Sequence, residues 1–352
     1  MTDQQIQQLI NSDFFVKEYG LVKLVDTHIS WVLLAQDFVF KIKKPHHYSF
    51  LDFSSLEKRK YFCERELNLN QRLAPAIYLA VVPVVEEGGV FFVEKEKGTI
   101  VDYAVKMSRM DEKRQMNLLI KQGAVGKKHL DFIAQQLAVF HKKAEKIKKA
   151  PTKKAMQADF NDILIINDYV QKIGGTEKKN IIETAVVFSD DFLKHYFQRI
   201  LERHNKGFYI DGHGDLYSQN IFLPKKYRPV IFDCIEFSDH LRQLDVLNEL
   251  AFFCMDLEYY GEKELANYFL KKYNDENPCI FNQEDINLFN YFKLYRANVR
   301  AKVGALKAMQ MEQGEQLKKQ IDFVNDYLKL MEIYLKEMTE PLKVAGSRQV
   351  SS

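Results

Sequence analysis

The stretch His213-Gly214-Asp215-Leu216-Tyr217-Ser218-Gln219-Asn220 reads H-x-D-x-x-x-x-N, and the apolar run Ile221-Phe222-Leu223 follows it directly. Pro224, Lys225, Lys226, Tyr227, Arg228 and Pro229 make a loop by composition. A second apolar run, Val230-Ile231-Phe232, then ends at Asp233. Two short apolar runs around a polar connection predict a β-hairpin. Pairing them about the loop centre sets Asn220 opposite Asp233. The pattern gathers a loop carboxylate, an amide oxygen and a second carboxylate, which is the set that phosphoryl transfer uses. Asp215 can accept the proton of an attacking hydroxyl, and Asn220 and Asp233 can hold Mg2+ on the phosphates of ATP. The competing reading is an Asx-rich turn that leads into a hairpin. Asp233 at the end of the second run weighs for the chemistry.

The segments HGDLYSQNIFL and VIFDCIEF resemble the aminoglycoside phosphotransferase family, which shares the protein-kinase fold. Within it they resemble a bacterial branch that carries "HGDL…N…IFDAIEF" and "DFSTLEKR". The resemblance covers about residues 20–310. It implies an α+β, two-lobed, protein-kinase-like fold. Residues 1–106 form the N-terminal lobe, an antiparallel sheet plus one helix with an N-terminal helix before it. Residues 107–340 form a mainly helical C-terminal lobe with the catalytic hairpin, and 341–352 is expected to be a disordered tail.

In chain order, residues 3–18 predict a helix with Ile6, Leu9, Ile10, Phe14 and Phe15 on its apolar face. Strand-like runs follow at Leu21–Val25, Ile29–Leu34 and Phe38–Lys43. The first turn, Asp26-Thr27-His28, lacks the glycines that cover the phosphates in protein kinases. The resemblance therefore leaves phosphate cradling to Thr27, Ser30 and backbone amides. On the third strand, period-two alternation sets Lys41 and Lys43 on one face. Either can reach phosphates and pair with a helix glutamate; Lys41 matches the family position and is preferred, and the competing role is an edge lysine that deters aggregation. Ser54-Ser55-Leu56-Glu57 predicts a capping box opening a helix to about Leu73, before Pro75. Glu66 shares a stripe with Phe62, Leu69 and Leu73, whereas Glu64 lies among Lys60, Asn68 and Gln71 and faces water. A carboxylate on an apolar face needs a partner, and Lys41 is the natural one. Further strands are expected at 76–85, 90–93 and 99–106, with the small lobe counted at five strands. The resemblance makes Met107 to Met110 the hinge that holds adenine through its backbone.

Beyond the hinge, LDFIAQQLAVFH predicts a helix ending at His141, a packed or capping histidine rather than a ligand. Residues 150–180 are mixed, broken by Pro151 and Gly174-Gly175, and 189–205 are helical. Asp245 opens a helix with Leu247, Leu250, Ala251 and Cys254 on its core side. The resemblance gives Asp245 a bracing role on the catalytic loop, and a plain helix N-terminal charge is the alternative. Glu236 is a further candidate for metal or acceptor. Tyr295, Arg296, Arg300 and Lys302 read as a solvated helix face, with an anionic acceptor as the other possibility. Some relatives carry a P-loop kinase domain after this one, but no G-x-x-x-x-G-K-[ST] run occurs here.

Composition bounds the function classes. The chain has 352 residues, 46% hydrophobic and 28% charged, enough for about two domains with a sizeable core. A net charge of +3 is too near neutral to argue for nucleic acid. The run from Lys142 to Lys149 reads as a solvated helix end and linker. Cys63, Cys234, Cys254 and Cys279 show neither metal-site nor disulfide spacing. The N-terminus has no apolar signal core and no run is long enough to span a bilayer, so the expectation is a cytoplasmic protein with no membrane partner. The expected function is ATP- and Mg2+-dependent phosphorylation of a hydroxyl on a small-molecule acceptor. Asp215, Asn220 and Asp233 carry it, Lys41 binds phosphate, and Glu66 holds Lys41. The alternatives are a nucleotide-binding regulatory protein without turnover, or transfer to a protein acceptor.

Overall fold

A computed structural model describes residues 1–48, 51–226 and 228–346, so Tyr227 of the hairpin loop and the tail from residue 347 lie outside the described residues. The chain opens with α1 (Asp3–Ile10) and α2 (Asp13–Tyr19). The single helix expected over 3–18 is two, because Ser12 leaves helical space to cap α2, its hydroxyl accepting the Phe15 N–H. Then come β1 (Lys23–Asp26), β2 (Ser30–Leu34), β3 (Phe38–Lys43) and a small hairpin of β4 (His47–Tyr48) and β5 (Leu51–Asp52). Next is α3 (Leu56–Gln71). Its cap is Ser55, which accepts the Lys58 N–H, while Ser54 turns back to Asp52. The cap is therefore one residue later than expected, and with Lys58 in the third helical position the expected box with Glu57 does not form. β6 (Tyr78–Glu87), β7 (Val90–Val93), β8 (Thr99–Ser108) and α4 (Met116–Lys121) follow.

The chain continues through α5 (Lys127–Lys143), α6 (Lys153–Asn161), α7 (Asn167–Asn205) and β9 (Tyr209–Asp211). The segment expected to be mixed is largely helical, with one left-handed residue, Gly175, interrupting α7. β10 (Ile221–Phe222), β11 (Val230–Ile231) and α8 (Asp239–Arg242) come next. The last elements are β12 (Gln243–Asp245), α9 (Val246–Tyr259), α10 (Lys263–Glu276), α11 (Gln283–Met309) and α12 (Glu315–Gly346). Contacts divide the chain into two compact units. One is 1–125 with 213–242, and the other is 126–212 with 243 onward.

In the first unit, six strands among the described residues form one antiparallel sheet in the order β1-β2-β3-β8-β6-β7. The expected count was five. All six expected runs take a place in it, so that count was one short of the runs themselves, and β7 folds back on β6 through Glu87 and Val90. Alternation along the strands sorts the side chains. Trp31, Leu33, Phe40, Ile42, Val82 and Val84 pack one face against Ile6, Leu9 and Phe15 of the N-terminal helices. Val39, Val105 and Met107 pack the other face with Tyr78 and with Cys63 of α3, and Val230 and Phe232 of the hairpin lean on them. Each fully buried apolar side chain of this kind contributes roughly 1.5–3 kcal/mol, so the pattern fixes both faces.

The second unit is helical, with a polar centre. Arg203 is fully buried and grips Asp245 with two nitrogens (2.8 and 2.9 Å), Asp285 (3.0 Å) and the Cys279 carbonyl (2.6 Å). Asp245 also caps α9 through the Leu247 N–H. His141 is buried between the Tyr273 hydroxyl and Glu249. Glu249 in turn comes so close to Gly212 that a Cβ there would stand 2.4 Å from its carboxylate oxygen. Arg296 is buried on the Asn248 side-chain oxygen and over the Phe252 ring, so the solvated face expected for it is a packed one. Among the described residues no helix is long and apolar enough to cross a membrane.

Candidate active site

The residues expected to hold nucleotide or metal or to take the proton lie in the first unit, while Asp245 and the anionic-acceptor candidates Tyr295, Arg296, Arg300 and Lys302 lie in the second. On β3, Lys41 and Lys43 point to the same face, and both reach Glu66 of α3. Lys41 Nζ stands 2.9 Å from one carboxylate oxygen and Lys43 Nζ 2.7 Å from the other. Glu66 is fully buried, while Glu64 is exposed beside Lys60. The two lysines part beyond Glu66. Lys41 keeps some exposure and donates to Asp233 at 2.9 Å, whereas Lys43 is wholly buried and pairs with Glu236. Five charged groups thus form one chain: Asp233, Lys41, Glu66, Lys43, Glu236.

Burial alone would raise the Glu66 carboxyl, but Lys41 and Lys43 outweigh it and hold the group down at about 2. Burial likewise works against the Lys41 ammonium, and Asp233 and Glu66 outweigh it and raise it well above its ordinary value. These shifts define a pH window. An unfolded glutamate takes a proton near 4.5 and folded Glu66 near 2, so its stabilisation is complete above 4.5 and is lost as pH falls toward 2. The lysine contribution is complete below 10.5 and is lost as pH rises through the folded value. Glu66→Gln is expected to cost about 3–5 kcal/mol of stability, because it breaks two buried pairs from one side by removing the carboxylate that Lys41 and Lys43 share. In denaturant titrations across pH, the gap between native and variant stays flat from about pH 5 to 10 and narrows below about 4.5. A gap that widened in acid would contradict the arrangement.

The loop from His213 to Asn220 is held by its own polar atoms. His213 Nε2 donates to the Phe232 carbonyl (2.9 Å), and its Nδ1 accepts the Asp215 N–H (3.2 Å), which fixes the tautomer. Gly214 takes a positive φ of 84° and lies where a Cβ would meet the Leu241 carbonyl at 2.9 Å, so no other residue fits there. The Asn220 side-chain nitrogen donates to both the Asp215 carbonyl (3.0 Å) and the Asp215 carboxylate (2.9 Å). The amide oxygen of Asn220 is the atom that could meet a cation.

The hairpin register corrects the expected pairing. Ile221 lies opposite Ile231 and Phe222 opposite Val230, so Asn220 faces Phe232, whose N–H donates to the Asn220 carbonyl. Both isoleucines are fully buried, and residues directly opposite share a face, so burial selects this register over one slipped by a residue. Asp233 is therefore one position beyond the pair. It has a left-handed backbone (φ 62°), uncommon for a residue with a side chain. Its N–H donates to the Tyr78 hydroxyl at 3.2 Å, and the next N–H, of Cys234, donates to the Asn70 side-chain oxygen at 2.9 Å. Asn70 sits one turn after Glu66 on α3. Neither it nor Tyr78 stood out in the sequence. Asn70 was findable as the i+4 neighbour of Glu66; Tyr78 gave no signal.

The donor set suits a hard cation. Mg2+ takes oxygen ligands and usually one or two carboxylates along with phosphates and waters. Asp233, with its side chain 43% exposed, and the Asn220 amide oxygen supply that kind of atom. Among the described residues no three His, Cys, Asp or Glu side chains form a self-contained metal cage. Glu236, the other candidate, is buried on Lys43.

Beside Lys41 and Asp233 opens a cavity of about 470 Å³. Its walls include Val25, Val32, Ile77, Tyr78, Phe222 and Phe232, with Met107 to Met110 along one side. Apolar walls with a few convergent polar groups are the ordinary build of a ligand site. Thr27 borders it, though its hydroxyl closes the β1–β2 turn on the Ser30 carbonyl (2.7 Å). Ser30 does not reach the cavity. It lies across from Lys43 in the β2–β3 pairing and is fully buried.

No family model matches the chain. Uncharacterised proteins of Mycobacterium bovis and Mycobacterium tuberculosis are 32% identical to it over 303 residues, which is 84% of this chain. The chain spans 57% of the length of these relatives. Among solved structures, the choline kinase from Cryptosporidium parvum superposes with a TM-score of 0.55 at 11% identity, covering 92% of this chain and 90% of that one. An amicoumacin kinase in complex with AMP-PNP and Ca2+ gives 0.51 at 11%, covering 93% and 96%. The Plasmodium vivax ethanolamine kinase gives 0.50 at 13%, covering 89% and 81%. Identities this low speak for the fold alone, and the fold is the α+β, protein-kinase-like one of small-molecule kinases, as the resemblance to aminoglycoside phosphotransferases implied.

Proposed function

We propose that this chain is an ATP- and Mg2+-dependent phosphotransferase acting on a hydroxyl of a small molecule. The observation that carries the reading is the Lys41–Glu66–Asp233 network at the mouth of an apolar cavity, in a chain whose catalytic loop sets Asn220 on Asp215. Fold alone does not license a function; the choline, ethanolamine and amicoumacin kinases, the last bound to AMP-PNP and Ca2+, support it as neighbours in structure. Burial of all four thiols is in keeping with a cytoplasmic home, where ATP is found.

In this mechanism adenine fills the cavity against Val25, Val32 and Ile77 and meets the backbone of Met107 to Met110. Lys41, steadied by Glu66, binds phosphate oxygens. Asp215 accepts the proton of the acceptor hydroxyl as its oxygen bonds to the γ-phosphorus. The bond from that phosphorus to the β,γ-bridging oxygen breaks, and ADP leaves. Asn220 orients the Asp215 carboxylate through its nitrogen. Mg2+, when held by Asp233 and the Asn220 oxygen, supplies charge neutralisation on the phosphates. Catalysis is then mostly positioning and charge stabilisation.

The test is calorimetry of Mg·ATP binding, followed by ADP release over hours with a metabolite pool as acceptor source. Acceptor-dependent ADP formation is expected. Binding without any ADP release moves the reading to a regulatory nucleotide-binding protein, and absence of binding ends it.

A further inference from the structure

A kinase-type site needs one lysine on one helix glutamate, and this one has two. The second lysine has no route to a phosphate. Lys43 is wholly buried, with Glu66 on one side and Glu236 on the other, and the Phe53 ring 4.8 Å from its ammonium. An ion pair out of reach of solvent carries a large desolvation cost, and it persists where every partner is in place. Its partners here come from three separate parts of the unit: β3, α3 and the segment after Asp233.

That segment has every reason to drift. It follows a left-handed aspartate, and residues 234–238 belong to no strand or helix. Yet it is gripped at each step. Tyr78 takes the Asp233 N–H, Asn70 takes the Cys234 N–H, and the His213 carbonyl takes the Ile235 N–H at 3.1 Å. The Glu236 side chain is buried on Lys43. The first three are single neutral hydrogen bonds, each with a net worth of about 1 kcal/mol. The fourth is charge-assisted on both sides and also joins the segment to the helix and strand that carry Glu66 and Lys41.

We propose that Lys43 and Glu236 are positioning residues. Their buried pair clamps the Asp233 segment to α3 and β3, so that the metal-side carboxylate and the phosphate lysine are set at a fixed distance before nucleotide arrives. The inference rests on the phosphotransferase reading for its purpose, but the clamp itself is a property of the polypeptide and can be tested without nucleotide. Cys234 lies within the clamped segment and is buried, while Cys254 and Cys279 are buried in the other unit and serve as internal references.

The decisive variant is the double replacement Lys43→Met with Glu236→Leu, because removing one partner alone strands a buried charge, while exchanging both for apolar residues is often neutral for folding. In maleimide labelling mapped by mass spectrometry, Cys234 of the double variant is expected to react about tenfold faster than in the native chain, with Cys254 and Cys279 unchanged, as local opening requires. Unchanged labelling of Cys234 in the double variant, or parallel acceleration of all three thiols, overturns the proposal. A second readout concerns the metal. The half-saturating Mg2+ for nucleotide binding is expected to rise about 10–100-fold in the double variant, as it does when groups that support metal ligands are removed. Metal-free ATP affinity should hold steady. A purely structural pair would leave the Mg2+ requirement of the folded variant unmoved. If the native chain binds no nucleotide, the phosphotransferase reading falls, and the thiol rates still decide the clamp.

Discussion

Asp215→Asn is expected to lose a factor of about 10²–10⁴ in kcat while binding Mg·ATP as the native chain does. The carboxamide has almost the shape of the carboxylate, and its oxygen can still accept from the Asn220 nitrogen that now donates to Asp215 at 2.9 Å. The Asp215 N–H and carbonyl keep their bonds to His213 and Asn220, so the loop stays in place. What disappears is the capacity to take a proton. The loss should therefore fall on turnover, with KM for ATP within about twofold, since an interaction made only in the transition state has been removed. Steady-state kinetics with calorimetric ATP binding checks it. A variant that kept native kcat would show that the hydroxyl proton leaves by another path.

Asp233→Ala is expected to abolish the enhancement of nucleotide binding by Mg2+. Asp233 supplies the one carboxylate assigned to the ion, and the Asn220 amide is neutral. The structure adds a second consequence. Lys41 is shared between Asp233 and Glu66, so removing Asp233 frees one side of its ammonium for phosphate. Metal-free ATP binding should then hold or tighten, while Mg2+-dependent binding and turnover collapse by about 10³-fold or more. ATP titrations with and without Mg2+ by calorimetry separate the two effects. Native enhancement by Mg2+ in the variant would place the ion elsewhere.

The parts of the fold that were legible in the sequence are those with a clear period. β3 was bounded residue for residue at Phe38–Lys43, and β7 at Val90–Val93, because alternation and turn residues mark them. The shared face of Lys41 and Lys43 and the burial of Glu66 over Glu64 followed from the same geometry. The stripe that buries Glu66 is nevertheless not the apolar one drawn for it. The buried positions of α3 are Arg59, Cys63, Glu66 and Asn70, a mostly polar row that hydrophobic periodicity does not detect. Long-range polar pairing was equally hidden. Nothing in the neighbourhood of Glu236 names Lys43 as its partner, nor does Tyr78 announce the Asp233 backbone, since these bonds join residues 193 and 155 positions apart. The hairpin register missed by one because loop composition fixes where the chain turns only to within a residue, whereas the burial of Ile221 and Ile231 fixes it fully.

The unit that bears the site is interrupted in sequence, residues 1–125 being completed by 213–242. During synthesis the sheet and α3 leave the ribosome long before the hairpin that covers one of their faces. At roughly 5–20 residues per second, the interval between residue 125 and residue 242 lasts on the order of ten seconds. Through that time Val39, Val105 and Met107 lack the covering that Val230 and Phe232 later bring. Lys43 and Glu66 likewise wait for Glu236. A nascent chain halted before residue 213 therefore displays an apolar sheet face with an unmatched lysine beside it, the kind of surface that chaperones hold, and release becomes favourable only when the last strand pair arrives.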